Sequence, residues 1–226
     1  FLLKENYLIN KINTFYLLKS IKIAAPLILA TFLSLIMITI DRKLIQYHYG
    51  NNDLADYNLA YLLLLPVAMI ISSVQSIWSP RLFELKDAYV ARNETIKAML
   101  ILFIFLIFLC FVIFIFVNLL FKLNLISNEY SNVLLLFMTL SIGTIFGSLI
   151  NFIDNLNLYI DRTYYKLITT LFIVSLFSIL NVYLVPLYSY YGVSISLFVA
   201  NFMGLILGYV LVTIKIKYVK NKNIRS

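Results

Sequence analysis

Residues 98–120 read AMLILFIFLIFLCFVIFIFVNLL, a stretch with no charge, no proline and no glycine. A helix rises about 1.5 Å per residue and the hydrocarbon core of a bilayer is about 30 Å thick, so this run is long enough to cross it. Working outward, similar runs lie at 21–40 and 59–78 on its amino side, and at 133–153, 167–187 and 193–214 on its carboxyl side. The mean hydropathy is +0.95 and only 12% of residues are charged, against about a quarter in soluble domains. The reading is an all-α polytopic membrane protein with six transmembrane helices.

The eighteen basic residues give this reading an orientation. Lys4, Lys11, Lys19 and Lys22 lie at the amino end, and Arg81, Lys86, Arg92 and Lys97 in the second gap. Arg162 and Lys166 lie in the fourth gap, and Lys215, Lys217, Lys220, Lys222 and Arg225 in the tail. The alternate gaps hold only Arg42, Lys43 and Lys122. Cytoplasmic loops carry the excess of lysine and arginine, so both termini are expected to be cytoplasmic and the number of crossings even. Tyr57 and Tyr61 outside, Trp78, Tyr164 and Tyr165 inside, and the tyrosines from Tyr183 to Tyr191 outside fall at headgroup levels, as an aromatic belt does. Residues 1–20 then form a basic cytoplasmic or interfacial segment, 21–214 the six-helix lobe, and 215–226 a basic cytoplasmic tail.

Composition narrows the function. The net charge of +8 sits in short loops facing one side, where anionic lipid headgroups are its ordinary partner, and no basic face with interleaved aromatics points to nucleic acid. The single cysteine, Cys110, is mid-run and leaves no intramolecular disulfide or cysteine zinc site; the single histidine, His48, reads as an outer-loop residue. There is no HExxH, GxSxG or P-loop, and no acidic ring inside the runs for a metal. No enzyme, cofactor or metal is expected. The loops are too short for an extramembrane domain, so function has to lie within the bundle or at its mouths.

The runs differ in character. The third reads as lipid-facing all round. The first carries Thr31, Ser34 and Asp41 along one face; the second Asn58, Tyr61, Ser72, Gln75 and Ser79; the fourth Thr144, Gly147, Ser148, Asn151 and Asn155; the sixth Ser194, Asn201, Gly204 and Gly208. Lipid cannot satisfy such groups, so one polar face per helix implies a wet or ligand-accepting interior. Asp41, Arg42, Asn58, Ser72, Gln75, Asn151 and Asn155 are the candidate path residues. Asp41 and Arg42 lie partly within the membrane if the helix runs on to about Tyr47, and at headgroup level if it does not. Arg81, Asp154, Asp161 and Arg162 read as loop charges at the cytoplasmic mouth. Pro26 and Pro66 lie inside runs, where each removes a backbone donor, either to kink a helix beside a cavity or for packing alone. The pairs Gly143/Gly147 and Gly204/Gly208 allow close helix approach, within one bundle or as a dimer face or hinge.

Residues 20–42, SIKIAAPLILATFLSLIMITIDR, resemble the start of the second half of Wzx-type polysaccharide flippases, members of the multidrug/oligosaccharidyl-lipid/polysaccharide exporter superfamily. The features that carry the resemblance are Pro26 early in the helix and the Asp41-Arg42 pair at its outer end. Gly50, Asp53, Asp56 and Tyr57-Asn58-Leu59-Ala60 then lead into the next helix, and Trp78-Ser79-Pro80-Arg81 closes it. The run from Pro186 to Gly192 and on to Ala200 is similar to the family's last hairpin. The resemblance implies the C-terminal lobe of a twelve-helix transporter in the bacterial cytoplasmic membrane. By alternating access it would move undecaprenyl-linked oligosaccharide repeat units to the outer leaflet for O-antigen or capsule assembly. It implies a partner as well, a second six-helix lobe that is either a missing N-terminal half or another copy of the chain. Family cavities that handle acidic sugars are cationic, and here only Arg42 is expected as a deep cation. The alternatives are another flippase or an antiporter of the superfamily, or a non-transporting membrane subunit of a glycan-assembly complex. An antiporter is disfavoured because no carboxylate reads as mid-span.

Overall fold

The computed structural model describes residues 14–123 and 131–225. Most of the basic amino segment, residues 1–13, lies outside them. The described residues are helical throughout apart from short joints: α1 (Thr14–Leu62), α2 (Leu65–Glu84), α3 (Ala88–Lys122), α4 (Ser131–Tyr159), α5 (Thr163–Tyr188) and α6 (Tyr190–Arg225). Five stretches are long and apolar enough to cross a membrane, the first of them running through α1 and α2. Exposed side chains such as Ile28, Phe32, Ile101, Ile104 and Phe108 give the bundle an apolar exterior, as a multi-pass membrane protein requires.

α1 is not one straight rod. Gly50 breaks it with φ 86° and ψ −167°, a conformation essentially reserved for glycine. In an unbroken helix Asp41 and Tyr57 would lie about 24 Å apart along the axis, yet the Tyr57 hydroxyl donates to Asp41 Oδ2 at 2.6 Å. The chain therefore folds back at Gly50 into two limbs. The turn is tied to the end of α5, where the Tyr49 hydroxyl donates to the Pro186 carbonyl and the Ser189 hydroxyl to Asp53 Oδ2. The gap between the first and second runs, expected as an outer loop, is thus helical on both sides of Gly50, and His48 is an exposed residue of α1. The apolar spacing persists through it, and buried Ile45, Tyr57 and Ala60 hold it on the bundle.

The second apolar run is divided between the end of α1 and α2. Pro66, in the first turn of α2, has no N–H to offer the preceding turn, and the helix gives way at Leu63 and Leu64. Pro26 lies inside α1 without a break. Asp87 caps α3 by accepting from the Tyr89 and Val90 amides.

α3 departs from expectation. It buries one seam, Ala91, Thr95, Leu102, Leu106, Cys110 and Val117, mainly against α4, and exposes the rest of its circumference. The spacing is four and seven, so even the helix that holds the most apolar run has a packed side. The densest part of the bundle is α4, α5 and α6, with Phe137, Phe152 and Phe177 fully buried. Small residues set the spacing there: a Cβ on Gly204 would collide with Ile173, and one on Gly143 would stand 2.9 Å from Leu197 Cγ. α6 continues helically through Arg225, across most of the expected basic tail.

Candidate functional site

The polar stripes of the second and fourth runs meet. Ser72 and Gln75 of α2 face Thr144, Gly147, Ser148, Asn151 and Asn155 of α4 across a cavity of about 600 Å³. Asn155 Nδ2 donates to Gln75 Oε1 at 2.6 Å and links the two helices. Ala68 of α2 and, on the other side of the Pro66 break, Tyr61 of α1 extend the cavity. Asn201 of α6 closes its back, where Nδ2 donates to the Gly143 carbonyl at 2.9 Å. Gly147 makes room for that amide, since a Cβ there would stand 2.9 Å from Asn201 Nδ2.

Asp154 corrects the sequence reading. It is not a loop charge: it lies within α4, three residues along the stripe from Asn151, and is 6% exposed. Lys166 of α5 pairs with its Oδ2 at 3.3 Å. Both residues line the large cavity and also a second one of about 220 Å³, bounded on its far side by Thr31 and Ser34 of α1. Gly147, Asn151, Asp154, Lys166 and Asn201 form the wall that the two cavities share. Two buried atoms lining the larger cavity have no hydrogen-bonding partner, Asp154 Oδ1 in this wall and Gln75 Nε2 opposite it. A buried polar group without a partner costs about 1–3 kcal/mol. The fold alone does not use up the hydrogen-bonding capacity of this wall.

Of the candidate path residues, Ser72, Gln75, Asn151 and Asn155 come together here, and Asp41, Arg42 and Asn58 do not line either cavity. The helix does run beyond Tyr47, and Asp41 is buried, accepting from the Tyr57 hydroxyl and the Arg42 amide. The Arg42 guanidinium lies over the Tyr61 ring, 5.8 Å from its centroid, so the Asp41–Arg42 pair adjoins the cavity lining at that ring. Asn58 is half-buried on the second limb. The four helix-packing glycines fall at the α4–α6 and α5–α6 contacts, Gly208 lying against Ile153 and Thr169. The cation that lines the cavity is Lys166, not Arg42 as expected. Among the described residues no group of three potential metal ligands occurs.

The helical spacing Thr144, Ser148, Asn151, Asp154 held the signal that places Asp154 on the stripe. Lys166 was out of reach, because its partner is on another helix. No protein family, no curated protein and no solved structure matches the chain. The function has to be argued from the site.

Proposed function

We propose that this chain is a six-crossing lobe of a flippase that moves lipid-linked oligosaccharide across the bacterial cytoplasmic membrane, with both ends on the cytoplasmic side. The carrying observation is the amide- and hydroxyl-lined cavity between α2 and α4 in a predominantly apolar helical bundle. An interior of that kind is costly in lipid and is kept where a polar group must pass. The fold-back at Gly50 supports six crossings, since it lets the first and second apolar runs traverse the bilayer in opposite senses. The Pro66 break beside Tyr61 places an irregular helix segment next to the cavity, a recurrent feature of transporter sites. Rocking of this lobe against a partner lobe would open the cavity to one face and then the other. The resemblance to Wzx-type flippases supplies the lipid and the glycan.

Deletion of the gene and complementation test this. Surface polysaccharide is expected to fall on deletion, return with the wild type, and return incompletely with Asn151→Ala at equal protein level. Full surface glycan in the deletion strain would end the proposal. Topology is checked with Asn52→Cys and Lys86→Cys, both at exposed positions, in a chain whose only native cysteine is buried. An impermeant maleimide applied to intact cells should label the first and spare the second.

One observation favours a second reading, a cation-coupled antiporter of the same superfamily. It is the buried carboxylate of Asp154 at the cavity wall. In that case deletion leaves surface glycan intact and raises sensitivity to cationic drugs.

A further inference from the structure

The charges at the cavity cancel. Asp154 is paired with Lys166, and no other lining residue is ionisable except the phenol of Tyr61. The outer group that touches Tyr61 is balanced as well, with Arg42 over the ring and Asp41 beside it in sequence. An acidic sugar entering this space would meet no free cation and would lie beside the Asp154 carboxylate. A bare metal ion fares no better: one carboxylate is available and an ammonium already stands 3.3 Å from it.

What remains is a set of groups that both donate and accept. Gln75, Asn151, Asn155 and Asn201 each carry a carbonyl oxygen and an NH₂ group, and Ser72, Thr144 and Ser148 carry hydroxyls. Sugar hydroxyls have the same dual character. Among the buried atoms that line the cavity, Asp154 Oδ1 and Gln75 Nε2, one acceptor and one donor, are left without a protein partner. A volume of about 600 Å³ is in the range of small-ligand sites.

We infer that the α2–α4 cavity is selective for an uncharged, polyhydroxylated headgroup, so that the repeat unit handled by this chain is built of neutral sugars. This rests on the flippase reading and specifies its substrate. The Asp154–Lys166 pair acts as the charge filter: its carboxylate neutralises the ammonium that would otherwise draw an anion, so the wall offers no free cation.

The full-length protein in nanodiscs, prepared without sugar detergents, is titrated with two probes. One is a short polyprenyl-pyrophosphate trisaccharide of neutral hexoses, and the other is its counterpart with one hexose replaced by a uronic acid. The pyrophosphate is common to both, so the difference reports the sugar alone. The neutral probe is expected to bind about tenfold more tightly, the lower end of what an unpartnered polar group costs. Asp154→Asn, which frees the Lys166 ammonium, should erase or invert the preference. Asp154→Asn with Lys166→Met should restore it. A merely structural role for the pair would weaken both probes together and leave their ratio unchanged, which overturns the inference. Equal or tighter binding of the acidic probe by the wild type overturns it too, while the flippase reading stands. Binding of neither probe sinks both.

Discussion

The turn at Gly50 and the wall around Asp154 each bury a carboxylate, and the two are treated in opposite ways. At the turn, Asp41 Oδ2 accepts from Tyr57 and Oδ1 from the Arg42 amide, so both oxygens are engaged. At the wall, Asp154 Oδ2 has Lys166 and Oδ1 has nothing. A satisfied carboxylate between two limbs of one helix stabilises a shape. An unsatisfied one beside a cavity keeps capacity for something that comes and goes. On the reading proposed above, the contrast puts Asp41 with construction and Asp154 with recognition, although Asp41 was the more conspicuous in sequence.

The largest expected effect breaks the inner pair from its cationic side. Lys166→Met leaves the buried Asp154 carboxylate without its partner, at a cost of about 3 kcal/mol. Adding Asp154→Asn should recover most of it, because two neutral groups of similar shape no longer need each other. Thermal unfolding of purified protein measures both. A single variant as stable as the double would mean that the two charges do not depend on each other.

Next comes the turn. Gly50→Ala meets no atom within 4 Å, so its whole cost is the backbone conformation, about 2 kcal/mol. Asp41→Ala follows, at about 1.5 kcal/mol, from leaving the buried Tyr57 hydroxyl without an acceptor. Tyr57→Phe in the same chain should return part of that loss, and a double-mutant cycle reads the coupling. Transport by these variants should fall only as far as folded protein falls. Lost transport at full protein level would move Asp41 from construction to the path.

How much of this was legible in the sequence varies by element. The apolar runs and the stripes of Ser72 and Gln75 and of Thr144 to Asn155 are periodicities along one helix, and the structure brings those stripes to one cavity. The reversal between the first and second runs was expected, but not its form: Leu44, Ile45 and Leu54 keep helical spacing on both sides of Gly50, so helix rather than loop leads up to the break from either side. Asp154 was misread because it stands near other charges close to the end of a run. What buries it is Lys166, across the α4–α5 turn. Tyr57 was read as a headgroup-level aromatic, and the structure makes it the buried partner of Asp41, for the same reason: periodicity reports faces, while partners are chosen by how the chain returns.

The smallest expected change in stability sharpens the comparison most. Asn151 is exposed in the shared wall and its side chain has no protein partner among the described residues. Asn151→Ala therefore removes no bond the fold relies on, and it should shift unfolding by less than about 0.5 kcal/mol. Whatever passes through either cavity meets that position, since both are lined by it. Surface glycan or probe binding should drop several-fold while the melting temperature stays fixed, the reverse of the pattern expected at Gly50 and Asp41. Asn151→Asp, nearly the same shape, adds a second anion beside Asp154 and should weaken binding of the uronic-acid probe more than that of the neutral one. If Asn151→Ala instead lowers stability and function in step, the wall is built like the turn, and the distinction between recognition and construction collapses.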